Sequence, residues 1–448
     1  MTVSYSRDQI RALAPDASSI KAATKLLNPG KWPVLEHDEQ SVWGECKGSG
    51  KKPYLVQVDR SEPAFKCSCP SRKFPCKHGL ALMLLLADMP DRFSPGEAPP
   101  RVSDWLESRR GRAEKKAERV AAKAAKPVDP EAIKKREDKR RGEVEAGLQD
   151  FERWLQDVVR QGPATLPGRE RAFWSQPAAR LVDAKAPGTA RYVHRAKYHT
   201  GRPGNWVREV MAVLGQAHLL RRAFAGYEQL APEQQADVRG AVGWPLDQNL
   251  IRAQETTPCA ARVLGISVTE TERLRQQRIW LQEEESGRHA MILSFAHGNR
   301  PFELILSPGT KRQVELAYFP SAYPLRALLK AQHDEDTVAP VDRLDGPSSL
   351  TQALDQTAAA MARNPWLDRL PWSLRGMRLS TAGDHPLLVD DELQTFPVDI
   401  GFEHVWDLAA LTGGRPADLF GEWRPDGFMP LGCLAADGYV AFPCEEMS

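Results

Sequence analysis

Cysteine is scarce in this chain: seven in 448 residues, an odd and small number that argues against a disulfide framework and suits thiols kept reduced. Long apolar runs are missing too. The longest, GLALMLLLADM at 79–89, is about half of the roughly 20 residues that a bilayer span requires, so it reads as a buried helix and no membrane segment is expected. The opening MTVSYSRDQIRALAPDASSI carries charges and a proline where a secretory signal needs an unbroken apolar core, which predicts a cytoplasmic protein. Charge of one sign is also lacking. With 61 Lys and Arg against 59 Asp and Glu the net is +2, so any argument for a polyanionic partner must rest on local clustering. The common catalytic signatures are absent as well: no H-E-x-x-H, no G-x-S-x-G, no dinucleotide or phosphate-loop glycine pattern. Cys259, Cys433 and Cys444 lie scattered, so there is no second Cys/His group. The expectation is a protein without catalysis and with no small-molecule substrate evident.

Against that scarcity, CSCPSRKFPCKH at 67–78 gathers three cysteines and a histidine into twelve positions. The preceding SVWGECKGSGKKPYLVQVDRSEPAFKCSCP alternates polar and apolar residues around a Gly48-Ser49-Gly50 turn, which predicts antiparallel strands at Val42–Cys46, Tyr54–Val58 and Ala64–Cys69. Downstream, Leu80, Leu84 and Met89 fall at helical spacing among strong helix formers. Cys67 and Cys69, one residue apart, would share a side of the last strand, while Cys76 and His78 start the helix and the loop between folds the two pairs together. Three thiolates and an imidazole suit a tetrahedral Zn²⁺ with every position filled, hence one structural zinc ion, since a catalytic zinc keeps a place for water. Such binding contributes on the order of 10–16 kcal/mol at neutral pH. Cys46, mid-strand, reads as an ordinary buried residue. GECKGSGKK does not fit a phosphate loop, because Lys51 is followed by Lys52 and not by a hydroxyl.

The pattern Cys67-x-Cys69, six residues, Cys76-x-His78, after a small sheet and before an apolar helix, resembles the SWIM-type zinc finger, with the likeness confined to about residues 30 to 95. The wider context is similar to bacterial SWIM-finger proteins. The resemblance implies a ββα zinc module that binds DNA or protein, and no catalysis. It also implies an alternative: bacterial relatives of this kind are often encoded beside MoxR-type AAA ATPases and von Willebrand A proteins, which suits a protein adaptor that binds no nucleic acid.

Around the ligands, Lys66, Arg72, Lys73, Phe74 and Lys77, with Lys51 and Lys52 on the neighbouring turn, make a basic, partly aromatic set. Cations beside an exposed ring suit phosphate contact with base stacking; a solvated surface with Phe74 packed under the loop is the other reading, and both stay open. Residues 107–143 hold fourteen Lys and Arg against eight Asp and Glu, readable as a basic arm or as a solvated helical linker broken at Pro127 and Pro130, with Asp129 placed to cap a helix. Val144, Leu148, Phe151, Leu155 and Val158, then Trp206, Val210, Val213, Ala217, Leu220 and Phe224 with Asn205 as cap, recur at helical steps. His218 in the second set reads as satisfied in or near a core. After Gly265, RIWLQEE, AMILSFA, FELILSP and QVELAYFP read as strands, LRALLKAQ and SLTQALDQTAAAMARNPW as helices. Asp390, Asp391 and Glu392 read as a solvated turn without a role. The fold class expected is multidomain α+β: a zinc-finger domain over 1–100 with a small sheet plus helix, a charged linker over 101–144, a helical domain over 145–260, and a β-rich α+β region with an antiparallel sheet over 261–448.

Overall fold

A computed structural model describes residues 5, 7, 10, 13–14, 17–48, 50, 52–60, 64–71, 73–111, 130–202, 204–271, 274–298, 302, 304, 306–333, 339–436 and 438–447. The chain forms a mixed α+β structure with an N-terminal sheet carrying the Cys/His segment, a helical bundle, and a β-rich C-terminal region. The expected sites Lys51 and Arg72, the cap Asp129 and the middle of the basic segment, 112–129, lie outside the described residues.

The N-terminal sheet has the order β4-β3-β2-β1-β5, from β1 (Val34–His37), β2 (Ser41–Cys46), β3 (Tyr54–Asp59), β4 (Ala64–Cys67) and β5 (Ser94–Pro95). Because side chains alternate with period two, Val42, Cys46, Val56, Val58 and Phe65 face the apolar helix Lys77–Asp88, burying Leu80, Leu82 and Leu85. Trp43 faces the other way, against Val102 and Leu106 of a helical segment at 100–111. β4 ends at Cys67, two residues short of the predicted end: Ser68 leaves the ladder with its N–H on the Leu55 carbonyl and its Oγ accepting the Leu55 N–H.

Helices Pro130–Gln161, Arg171–Asp183, Pro187–His199, Trp206–Ala225 and Pro232–Val242 share one core, in which Val144, Leu148, Phe151, Leu155 and Val158 meet Val210, Val213, Ala217, Leu220 and Phe224. The Asn205 side chain accepts from the Arg208 N–H, as expected of a cap. His218 departs from expectation. Its side chain is half exposed, with Nδ1 4.0 Å from Glu152, because it falls one step beyond the buried Ala217 on the helix surface.

The C-terminal region stacks a barrel on a sheet. β6 (Cys259–Thr271), β7 (Leu274–Glu283), β8 (His289–His297), β9 (Thr310–Tyr318) and β10 (Arg326–Gln332) close into a ring, since β6 pairs with both β7 and β9, and β10 joins β9 to β8. Its interior holds Val263, Ile279, Leu281, Ile292, Val314 and Leu316. The segment LRALLKAQ is therefore strand and not helix: its helix-forming residues yield to two rows of ladder bonds, a case of tertiary context overriding propensity. FELILSP forms no strand among its described residues. The helix Leu350–Arg363 forms as expected.

After the short β11 (Ala339–Pro340), which pairs with β9, β12 (Leu370–Ser380), β13 (Leu387–Val389), β14 (Thr395–Pro397), β15 (Ala417–Arg424), β16 (Gly427–Ala435) and β17 (Gly438–Ala441) make the second sheet, while β18 (Cys444–Met447) adds in parallel to β6. The two layers meet at Gly265, where an added Cβ would stand 2.8 Å from Leu431. Between them Glu422, fully buried, accepts from Trp280 Nε1 at 2.9 Å, Arg369 Nη1 at 2.8 Å and Arg424 Nη2 at 2.7 Å, with Arg278 3.4 Å away. Arg369 also pairs with Glu446 of β18 at 2.7 Å. Asp390 corrects the reading of its neighbourhood as merely solvated: it is buried, its Oδ2 accepts the Leu350 N–H that opens the helix, and its Oδ1 accepts the Glu392 and Gln394 N–H groups. Asp391 and Glu392 are exposed.

Candidate metal centre

Strand, loop and helix bring the four expected ligands together. Cys67 closes β4, Cys69 follows just outside the strand, Cys76 takes the N-cap position of Lys77–Asp88 in extended backbone, and His78 lies in the first turn. One ligand atom from each lies within 4.8 Å of all the others, and Cys67 Sγ is 3.9 Å from His78 Nδ1. A tetrahedral ion with Zn–S near 2.3 Å has corners about 3.8 Å apart, so the donor set and its spacing fit one zinc ion. Among the described residues this is the one such His/Cys/Asp/Glu group.

Local packing fixes each donor. The His78 ring lies 4.8 Å from Tyr54, at the start of β3, which sets the imidazole plane. Gly79 lets the helix close on β4, since a Cβ there would stand 2.7 Å from Phe65. Cys76 and His78 are each only 5% exposed. The Cys76 thiol is pushed down, toward thiolate, first by hydrogen bonding with Cys67; burial opposes this, and His78 and the Gly79 N–H reinforce it. The Cys67 thiol, the giving partner, is pushed up by the same bond and by burial. A thiol pushed toward thiolate beside three further donors favours a cation. Cys46 is fully buried with Sγ 3.8 Å from the Lys47 carbonyl, and burial pushes its thiol up: a packing residue, as expected. All seven cysteines are free thiols.

The surrounding residues divide. Lys52, Lys73 and Lys77 are exposed; Lys73 Nζ donates to Ser18 Oγ at 2.9 Å on the helix Ala17–Thr24. Lys66 is exposed but on the opposite face of the sheet, beside Gln57, whose amide donates to the Arg101 carbonyl. Phe74 is not displayed for stacking: it is half-buried, edge-on to Phe65 at 6.2 Å, against the N-terminal core. With Phe65 and Pro75 it lines a cavity of about 130 Å³ whose far wall is Ile266, Val268, Leu431 and Phe442. Tyr54, Gly79 and Ser18 escaped the sequence reading; of these, Tyr54 carried a signal, as the residue opposite Cys46 at the mouth of the hairpin.

Compared with known protein families, residues 54–87 match the SWIM zinc finger and residues 139–242 match the SWIM-associated four-helix bundle domain. The chain carries a SWIM zinc finger and the helical domain associated with it. The second match coincides with the helices that share the bundle core, so the finger and its associated domain lie in one chain. No match was found among curated proteins or among solved structures. Among the described residues no helix is long and apolar enough to cross a membrane.

Proposed function

We propose that this SWIM protein is a non-catalytic, cytoplasmic binding protein whose zinc holds the finger rigid and whose finger engages nucleic acid. The observation that carries this reading is the chemistry of the cluster and its rim: four donors leave no coordination place for water, and Lys47, Lys52, Lys73 and Lys77 reach solvent around it. Phosphates would meet those ammonium groups, and the contact would carry no base readout. The test is fluorescence anisotropy of the full chain with single- and double-stranded DNA and RNA between about 50 and 300 mM salt, for the wild type and for K47Q/K52Q/K77Q. Neutralising three phosphate contacts should flatten the log–log salt slope by roughly 2 on single strands; a variant with unchanged affinity and slope would sink the finger as a nucleic-acid site.

One observation favours a second reading. Phe74 and Pro75, the apolar part of the loop, turn toward the C-terminal sheet and away from solvent, which supports a finger used as a scaffold for protein contacts, the adaptor of an AAA ATPase or von Willebrand A partner. Co-purification of such a partner with the triple variant would support it.

A further inference from the structure

The helical bundle carries a second cationic surface, and its charge is one-sided. From Lys185 to Arg208 the chain has six Lys and Arg, at 185, 191, 195, 197, 202 and 208, and no Asp or Glu. The helix Pro187–His199 sorts this stretch by face. From Arg191 onward, Tyr192, Val193 and Ala196 are buried, and every remaining position is basic or aromatic: Arg191, His194, Arg195, Lys197, Tyr198 and His199. Gly188 seats the helix, because a Cβ there would stand 2.2 Å from the Ala241 carbonyl oxygen of Pro232–Val242.

Two features separate this face from an ordinary solvated one. Elsewhere in the bundle several arginines are matched, Arg153 with Asp150, Arg221 with Glu152 and Arg239 with Glu137, and those unmatched among the described residues, such as Arg171, Arg180 and Arg222, do not share one helix face. Here only Arg191 is matched, with Asp368 at 3.7 Å; among the described residues no carboxylate lies in ion-pair range of Arg195, Lys197 or Arg202. The second feature is Tyr198, 54% exposed, with the Arg202 guanidinium 3.7 Å from its ring centroid. Leaving like charges unmatched along one helix face costs stability, and an exposed ring with a guanidinium plane on it matches the platform on which unpaired bases stack, beside cations that track phosphates. A membrane surface would need large apolar groups flanking the cations, and this helix face offers none.

We infer that the solvent face of Pro187–His199 with Arg202 binds single-stranded nucleic acid, Arg195, Lys197 and Arg202 neutralising phosphates and Tyr198 stacking a base. This rests on the nucleic-acid reading above and extends it to a surface on a different domain. The test uses the full chain and fluorescent single-stranded RNA and DNA oligonucleotides, comparing wild type, the bundle variant R195Q/K197Q/R202Q, Y198A, and the finger variant K47Q/K52Q/K77Q, each checked for an unchanged melting profile. The bundle variant should weaken binding about tenfold or more at 100 mM salt and flatten the salt slope by roughly 2, and Y198A should weaken it about tenfold with the slope kept. Losses in the finger variant alone overturn the inference and leave the finger reading standing. Losses in the bundle variant alone support the inference and remove the finger. No binding by the wild type sinks both, and anionic vesicles or poly-glutamate that bind through Arg195, Lys197 and Arg202 in place of oligonucleotide overturn the choice of partner.

Discussion

The finger and the C-terminal barrel-and-sheet solve the same problem, fixing charged or polar groups inside a fold, by opposite routes. The finger draws its four donors from twelve consecutive residues and lets an ion supply the cohesion. The C-terminal region surrounds Glu422 with Trp280, Arg278 and Arg369, which stand 142, 144 and 53 positions away along the chain. A metal thus lets a short segment specify a site by itself, whereas a buried carboxylate among arginines exists only once two sheets have met. The finger should be separable from the rest by chelation, and the Glu422 cluster by acid.

Removing the metal should have the largest effect. Chelation, or Cys69→Ser, forfeits a contribution on the order of 10–16 kcal/mol; elemental analysis should fall from one zinc per chain toward none, and hydrogen exchange should rise across β1–β4 and Lys77–Asp88 while the barrel stays protected. Persistence of that protection without zinc would break the comparison.

Glu422→Gln comes next. Burial alone would push this carboxyl up, but Arg278, Arg369 and Arg424 hold it well below the usual carboxylate range, so the substitution leaves buried guanidinium charge uncompensated and should cost about 3–5 kcal/mol in urea unfolding. The acid limb follows from the sign of that shift. A carboxylate whose folded pKa lies below its unfolded value of about 4.3 contributes fully above that value and loses its contribution as pH falls toward the folded pKa. Glu446 is depressed too: burial pushes it up, and Arg369 and Arg424 together more than offset this. Buried His289 of β8, its pKa lowered to about 4 by burial, acts in the same direction from its unfolded value of about 6.5. Wild-type C-terminal stability should therefore decline gently below about pH 6.5 and steeply below about pH 4, and Glu422→Gln should blunt the steep limb.

Asp390→Ala is the smallest. It removes the acceptor of the Leu350 N–H and of two turn N–H groups, and should lower stability by about 1–2 kcal/mol, read as a shifted urea midpoint with an unchanged slope.

What the sequence made legible follows the same divide. The four ligands and the bundle helices could be read because their signals are local: a spacing within twelve residues and apolar steps of three and four. β10 defeats a local reading because LRALLKAQ has helical composition and only its neighbours β8 and β9 make it a strand. Lys66 adjoins the ligands in sequence but lies on the opposite face of the sheet, as period-two alternation from Cys67 requires. Asp390 and Glu422 gave no sign, since a carboxylate in a turn or strand looks the same whether its partners are water or distant arginines.

The closed ring of β6–β10 has a further meaning for how the molecule comes apart. None of its five strands is terminal within it, so none can peel away without leaving two neighbours with unpaired backbone groups. Breathing motions that open one strand at a time are thereby suppressed, and the amides of the ring should trade hydrogen for deuterium together, as one cooperative block.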